Sequence, residues 1–476
     1  VSGLIAYGAY IPHYRLRVKE IGSVLGGPGG PGSRSVAAYD EDTTSMAVEA
    51  ARIALRGLPG TVAPGRVYFA TANPPYLDKT NAAVIHAALS LPARALAVDL
   101  GGAPRSSIGA VLAAAESTEP ALALLSDVRT GLPGGADERQ GGDAAAALLF
   151  GAGTADAPVI AELIAHASIT DEFLDRWRLP SDTTSRVWEE RFGEHVYAPL
   201  ATDSFSAALD QAEIGADQVD HLVVCGLSPK AVRQFAASSG AGPDAIAPDL
   251  TTSIGNPGTA QPGVLLADVL DRATPGQTIA LVLLADGAST LILRTTEHLA
   301  NQLASTLTVA EQIAAGDDSL SYATYLSWKG TLRREPPRRP EPEAPAAPPT
   351  HRSEKWKYSF HGSRCDRCQT VSLPPVRVCY GCGAIDDATL QPMADVPARV
   401  ATFTVDRLAY TPSPPMVAVV VDFHGGGRFR CELTDSSESP TIGAAVEMTF
   451  RRLMTSHGVH NYFWKARPAR RQTKES

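Results

Sequence analysis

Four cysteines near one end constrain this chain more than any other feature. They read Cys365-x2-Cys368-x10-Cys379-x2-Cys382 inside SRCDRCQTVSLPPVRVCYGCG. Two CxxC knuckles at this separation can close four thiolates around one tetrahedral Zn2+, as in a zinc ribbon. Four thiolates leave no open position for a catalytic water, so such a metal is structural. The competing readings are two disulfides, or two surface dithiols with the metal lost. Cys225 and Cys431 are the only other cysteines. That usage fits a reducing, cytoplasmic setting. The motif marks a small separate module, and what accompanies it decides the function.

At 476 residues the chain exceeds what one core usually supports. Hydrophobic content of 44% and charged content of 20% describe an ordinary soluble globular protein. No apolar run approaches the roughly 18 residues of a membrane span, so no membrane association is expected. The opening VSGLIAYGAYIP reads as a strand and lacks the order of a signal peptide.

Charge is divided unevenly. Residues 331–476 hold 21 Lys and Arg against 15 Asp and Glu, net +6, which leaves residues 1–330 at −15. An acidic body argues against general nucleic-acid binding. The basic module suits either phosphates, including those of coenzyme A, or a charge-complementary contact with the body.

The boundary is visible as LRREPPRRPEPEAPAAPPTHR, with seven prolines and no hydrophobic periodicity. Residues 331–352 therefore read as an extended, stiff spacer. A zinc ribbon is expected over 353–391. Short strand-like runs follow over 392–476 (ARVATFTVDRL, PPMVAVVVDF, RFRCEL, AAVEMTFRRLM, NYFWKA), with GGG at 425–427 as a turn. They suggest a small barrel of the OB type. OB barrels often take single strands, but strand alternation places Phe403, Phe423, Phe429, Phe463 and Trp464 mostly where they would be buried, so no nucleic-acid partner is expected.

Residues 1–330 alternate helix and strand patterns. VYFATAN, RALAVDL and EPALALLSDV read as buried strands, and Thr43 and Thr44 read as the cap of a helix through SMAVEAARIALRGL. This is an α/β layer fold. GGDAAAALLFG around Asp143 and ADGASTLIL around Asp286-Gly287-Ala288 repeat one pattern. The body therefore divides into two similar halves, about 1–155 and 156–330.

GLIAYGAYIPHYRL, ANPPYLDKTNAAVIHAAL, VDLGGAPRSSIGAVLAA, SDVR…ERQGGDAAAALLFGAG, VWEERFGEHVYAPL and SIGNPGTAQP together resemble the thiolase superfamily, in its hydroxymethylglutaryl-CoA synthase and ketoacyl-ACP synthase III branch. The resemblance covers roughly residues 1–300. The C-terminal module resembles the zinc-ribbon/OB proteins that accompany thiolase-like enzymes acting on acyl-CoA. The resemblance implies a duplicated five-layer αβαβα body, a homodimer, an acyl-CoA substrate and, in some relatives, a separate thiolase or hydratase subunit.

The family's catalytic residues carry over poorly. Its nucleophilic cysteine aligns with Pro104, which has no nucleophile. Its glutamate base aligns with Ala72, and Cys225 falls at or within one residue of its histidine. Only Asn256 matches, at the asparagine that polarises a thioester carbonyl. Cys225 is the only cysteine in residues 1–330, so a shifted alignment around Pro104 recovers no thiol.

Two readings follow. One is an acyl-CoA enzyme, a lyase or acyltransferase, using base-only aldol or retro-aldol chemistry. Thiolase-like steroid side-chain aldolases are its precedent. The other is a non-catalytic scaffold that binds acyl-CoA for a separate thiolase. Candidate residues are Tyr76, Asp78, Tyr197, Cys225 and Asn256 for chemistry, and Lys79 and Arg105 for coenzyme A. The default readings are a structural ion-pair partner for Arg105, a core aromatic for Tyr197 and an inert buried thiol for Cys225. His195 and His221 look solvent-facing and are assigned no chemistry.

Overall fold

The computed structural model describes residues 2–27, 29–300, 307–338, 340, 342–436 and 438–470. Arg339 and Glu341 of the expected spacer, and residues 471–476 of the expected barrel, lie outside them. The chain separates into two compact units. One holds 1–37, 46–83 and 91–322, and the other 38–45, 84–90 and 323–476. Among the described residues no helix is long and apolar enough to cross a membrane.

The first unit is organised by one mixed sheet of nine strands. The first half supplies β1 (Gly3–Tyr10), β2 (Arg66–Thr71), β3 (Leu96–Gly101), β4 (Ala121–Val128) and β5 (Asp143–Gly151), in spatial order β3-β2-β4-β5-β1. The second supplies β6 (Ala161–Thr170), β7 (His221–Gly226), β8 (Thr278–Leu284) and β9 (Gly287–Thr295), in order β7-β8-β9-β6. Outside β7 the third strand of this half is reduced to one parallel bridge, Leu222 to Ile246.

With that bridge counted, both halves follow one topology. The second and fourth strands pair parallel (β2–β4, β7–β8), and the fourth and fifth antiparallel (β4–β5, β8–β9). Each fifth strand then pairs antiparallel with the first (β5–β1, β9–β6). Asp143 and Gly287, noted in the sequence as a repeated run, begin the equivalent strands β5 and β9. The halves join antiparallel where Gly3 faces Glu162 and Leu4 faces Ala161.

Alternation along the strands divides the core between the two faces. Val223, Cys225, Ile279, Leu281 and Leu283 pack with helices α1 (Ser106–Ala115) and α4 (Gln261–Leu270). Leu222, Val224, Ala280, Val282 and Leu284 face the other way, toward α2 (Glu190–Ala212) and α3 (Pro229–Ser238). Each fully buried Val or Leu contributes about 1.5–3 kcal/mol. The runs of β7 and β8 are apolar on both faces because helices cover both.

The helix Thr43–Leu55 forms as its sequence suggests, but its cap is Asp42 rather than Thr43 or Thr44. Ser45 N–H donates to Asp42 Oδ1 at 2.9 Å, and Asp42 N–H donates to Ser45 Oγ at 2.9 Å. This reciprocal pair satisfies donors that a helix start leaves open.

In the second unit a five-stranded sheet runs through β10 (Ala398–Asp406), β11 (Met416–Phe423), β12 (Arg428–Glu432), β13 (Ala445–Ser456) and β14 (Val459–Pro468), ordered β12-β11-β10-β13-β14. The two ends meet in a parallel bridge between Leu433 and Ala466, which closes a barrel. Before it stands a three-stranded sheet of His361–Cys365, Val371–Ser372 and Ala388–Pro392. Phe360 centres an aromatic cluster, with Trp356 and Phe429 each 5.1 Å away. Phe423 and Trp464 are buried, while Phe403, Phe429 and Phe463 are half-buried. The spacer departs from a fully extended form at its end. Ala347–Arg352 is helical, with proline in its first turn, where the missing N–H costs nothing.

Gly8 in β1 lies against the helix Thr43–Leu55. A Cβ there would sit 2.6 Å from Ala54 N and 2.7 Å from Ala50 O. Both are backbone atoms and cannot rotate away. Gly8→Ala is expected to destabilise the first unit by about 1–3 kcal/mol, read as a lower midpoint in calorimetry. An unchanged midpoint would contradict this packing.

Candidate active site and cysteine cluster

The carboxyl ends of β2, β3 and β4 from the first half and of β7 and β8 from the second line one cavity of about 250 Å³. In open α/β sheets this is where ligands bind, beyond the carboxyl ends of the strands. Ala72 follows β2, Gly102–Pro104 follow β3, Asp127 and Val128 end β4, Leu227–Pro229 follow β7, and Leu284–Asp286 end β8. A two-stranded hairpin, Arg176–Trp177 with Arg186–Val187, adds Asp175, Arg176 and Arg178. Tyr197 comes from α2.

The lining is rich in charge. Asp127 is buried, and the Thr259 N–H and hydroxyl both donate to its Oδ2 at 3.1 Å. Burial pushes its carboxyl upward, against the pull of Arg129. Asp137 bridges Arg129 at 3.1 Å and Arg176 at 2.5 Å. Burial would raise the Asp137 carboxyl, but these two guanidinium groups hold it below its usual range. Arg178 donates to the Ala72 carbonyl.

Tyr197 and Asp175 both line the cavity and lie near enough for each to shift the other's proton affinity. The Tyr197 ring packs edge-on against Phe173 at 4.9 Å. Burial raises the Asp175 carboxyl. Burial and the neighbouring carboxylates of Asp175 and Asp286 raise the Tyr197 phenol. An acid kept protonated beside a base of raised pKa is the pairing that proton-transfer chemistry needs.

Of the residues singled out in the sequence, Tyr197 lines this cavity and the other six do not. Asn256 is adjacent but occupied. Its Nδ2 donates to Gly226 O at 2.8 Å, and its Oδ1 accepts from Gly258 N–H at 2.9 Å. Cys225 is wholly buried within β7, with Sγ 3.4 Å from Val282 O, and burial raises its thiol well above the usual range. Arg105 donates to the carbonyls of Ala285, Asp286 and Ile169 and to the Thr170 hydroxyl, so its guanidinium ties loops together.

Tyr76 is half-buried, and Asp78 and Lys79 are exposed beyond β2. Lys79 Nζ donates to Thr80 O at 3.3 Å. After β7, where the family histidine is expected, Ser228 instead caps α3 by accepting from Ala231 N–H. His195 is exposed as expected. His221 is half-buried, its Nε2 3.0 Å from Gln277 Oε1.

Asp127, Asp175, Arg176 and Arg178 were missed. Asp127 carried a signal, a charged residue closing the apolar run ALALLSD. The segment LDRWRL carried only its own polarity, which is common in loops.

The four cysteines Cys365, Cys368, Cys379 and Cys382 converge. Their Sγ atoms all lie within 4.8 Å of one another, and no disulfide joins them. Cys365 and Cys382 are 3.6 Å apart, and Cys368 and Cys379 3.5 Å. Four ligands about 2.3 Å from a tetrahedral Zn2+ are separated by roughly 3.8 Å. The donor set and its size fit that ion.

No family model matches the chain. The hydroxymethylglutaryl-CoA synthase of Methanothermobacter thermautotrophicus is 29% identical over 351 residues, covering 70% of this chain and 99% of that protein. The enzyme of the same name from Picrophilus torridus is 25% identical over 350 residues, covering 70% and 98%. Among solved structures, hydroxymethylglutaryl-CoA synthase complexed with CoA superposes with a TM-score of 0.59 at 18% identity, over 68% of this chain and 89% of that one. 3-Oxoacyl-(acyl carrier protein) synthase III from Pseudomonas aeruginosa PAO1 gives 0.55 at 20%, over 62% and 98%. The chain has the thiolase-like fold. Within that fold, Pro104 and Ala72 form part of the cavity wall and Cys225 does not.

The burial of Cys225 has a direct consequence. Iodoacetamide applied to the native protein should leave Cys225 unmodified, and denaturation should expose it, as read by peptide mass spectrometry. Rapid native labelling at Cys225 would contradict this placement.

Proposed function

We propose that this protein is an acyl-CoA enzyme that makes or breaks a carbon–carbon bond of a β-hydroxyacyl- or β-ketoacyl-CoA without a cysteine acyl-enzyme. One observation carries the reading. Asp175 and Tyr197, both with raised proton affinity, line one cavity together with Pro104 and Ala72, the residues that the family resemblance aligns with nucleophile and base. The substrate class is supported by structural neighbours solved with CoA and with 3-hydroxy-3-methylglutaryl coenzyme A. A cavity of about 250 Å³ suits a short acyl group, the nucleotide remaining outside.

In the cleavage direction Asp175 removes the proton of the β-hydroxyl. The Cα–Cβ bond breaks, its electron pair passes to the thioester as an enolate, and a carbonyl compound leaves. The protonated Asp175 returns its proton to Cα and the shortened acyl-CoA is released. In the reverse direction Asp175 takes the Cα proton, the enolate attacks the carbonyl, and the protonated Asp175 returns that proton to the new alkoxide while the Tyr197 phenol donates a hydrogen bond to the substrate oxygen. No oxidant or further reactant is consumed. Arg176 and Arg178 supply positive charge beside the developing oxyanion.

Asp175→Asn and Tyr197→Phe should each lower kcat/KM by roughly 10²–10⁴. The raised Asp175 carboxyl must be ionised to act, so the rate should climb with pH through a pKa above the ordinary aspartate value. Asp175→Asn should abolish that limb. Intact-mass analysis after incubation with acyl-CoA should find no adduct. Acylation at Cys225 would overturn the non-covalent reading. Acyl-CoA binding without turnover, alone or with a thiolase, would leave a scaffold.

The second unit is read as a zinc ribbon followed by an OB barrel. Support comes from the four converging thiols and from a barrel whose first strand pairs with its fourth and whose third meets its fifth in parallel. Native mass spectrometry should find one zinc per chain. Cys379→Ser should abolish it and unfold the ribbon, whereas a folded, metal-free ribbon would remove the assignment. A homodimer, and a separate thiolase or hydratase partner, belong to the same proposal and rest on the family resemblance.

A further inference from the structure

The barrel of the second unit is built around buried charge. Arg451 on β13 and Lys465 on β14 are 0% and 1% exposed. With Arg452, Arg467 and Arg470 they make a cluster of cations that Glu432, Asp435 and Glu447 of the barrel itself meet in part. Residues 38–45, some four hundred positions earlier in the chain, belong to the same compact unit and supply the remaining acids.

Asp40 is wholly buried. Its Oδ1 lies 3.3 Å from Arg451, its Oδ2 lies 2.9 Å from Lys465, and the Thr434 hydroxyl donates to Oδ2 at 3.1 Å. Glu41 meets Arg451 at 2.8 Å, and the Tyr462 hydroxyl donates to Asp42 at 2.7 Å.

The main chain is held as well. Arg452 N–H donates to Asp40 O at 2.8 Å, and its guanidinium donates to Tyr39 O at 3.2 Å. Lys465 Nζ stands 4.9 Å over the Tyr39 ring. The side chains of four consecutive residues and the backbone carbonyls of the first two are thus recognised together, as a peptide ligand is.

We propose that this cleft is a receptor for an acidic Tyr-Asp-Glu-Asp segment, filled in cis by residues 39–42, and that it holds the segment without need of the covalent spacer. A charge-complementary cleft with desolvated cations binds one acidic sequence and rejects apolar or basic ones.

The full-length chain tests this. A specific protease site placed at the exposed residues 332–335 lets the spacer be cut after folding. The two fragments should then co-elute at about 1 µM. In the double variant Asp40→Asn/Glu41→Gln, folded before cutting by near-ultraviolet circular dichroism, the dissociation constant should rise by about 100-fold or more, since buried Arg451 loses two carboxylate partners and Lys465 one. The helix Tyr322–Trp328 stays on the body-side fragment in both proteins, so the comparison isolates the acids.

Separation of the wild-type fragments, or equal retention by the double variant, would overturn the proposal. If the double variant does not fold, a synthetic peptide of residues 36–46 decides. In excess it should release the barrel from the cut wild-type complex, whereas a scrambled peptide should not. Release by neither peptide, or by both equally, would overturn it.

Discussion

The cavity depends on a backbone crossing that no side chain could survive. Gly141–Gly142 of the first half passes against Ile254–Asn256 of the second. A Cβ on Gly142 would lie 2.0 Å from Ile254 O, and one on Gly255, at φ +73°, would lie 2.1 Å from Gly141 O. The approach is closed by two hydrogen bonds, Asn256 N–H to Gln140 O at 2.7 Å and Gly142 N–H to Asn256 O at 2.9 Å. From there the Asn256 amide reaches Gly226 at the end of β7. Strand ends from both halves therefore face one space, and the fold has a site whether or not the usual catalytic groups are present. Glycine is needed because contact here is backbone to backbone.

What fills that space decides which chemistry remains. A thiol nucleophile must be ionisable and exposed, and Cys225 is neither. The cavity instead collects acids and guanidinium groups whose environments push them apart. Asp137 is held ionised between Arg129 and Arg176, while Asp127 and Asp175 are raised by burial. Separated proton affinities within one cleft are the condition for general acid–base work. Asn256, which the resemblance aligns with the family's asparagine, serves the architecture through both ends of its amide.

The sequence was most legible where spacing alone determines geometry. Two CxxC pairs fold back into knuckles because the short spacer allows little else, and the four sulfurs converge accordingly. The repeated small-residue runs become β5 and β9 because strands covered on both faces need continuous apolar sequence. The site was less legible. Tyr76, Asp78 and Lys79 follow β2 in the chain just as Ala72 does, but the loop turns away within a few residues, and nothing local records that turn. Arg176 and Arg178 reach the cavity on a hairpin inserted between β6 and α2. Their role is a matter of three-dimensional placement.

The barrel raises a different question, why residues 38–45 are secured by charge. An apolar plug of the same volume would be as stable or more so, because desolvating Arg451, Lys465 and Asp40 costs several kcal/mol per ion before their attraction offsets it. Apolar packing, however, tolerates a slip of register. Here a slip of one residue would bring Tyr39 or Glu41 to the place where one carboxylate, Asp40, meets both Arg451 and Lys465. The aromatic ring would remove the one carboxylate that Arg451 and Lys465 share. The longer glutamate would not fit the position that the backbone bonds from Arg452 define. Buried charge thus trades stability for a single register.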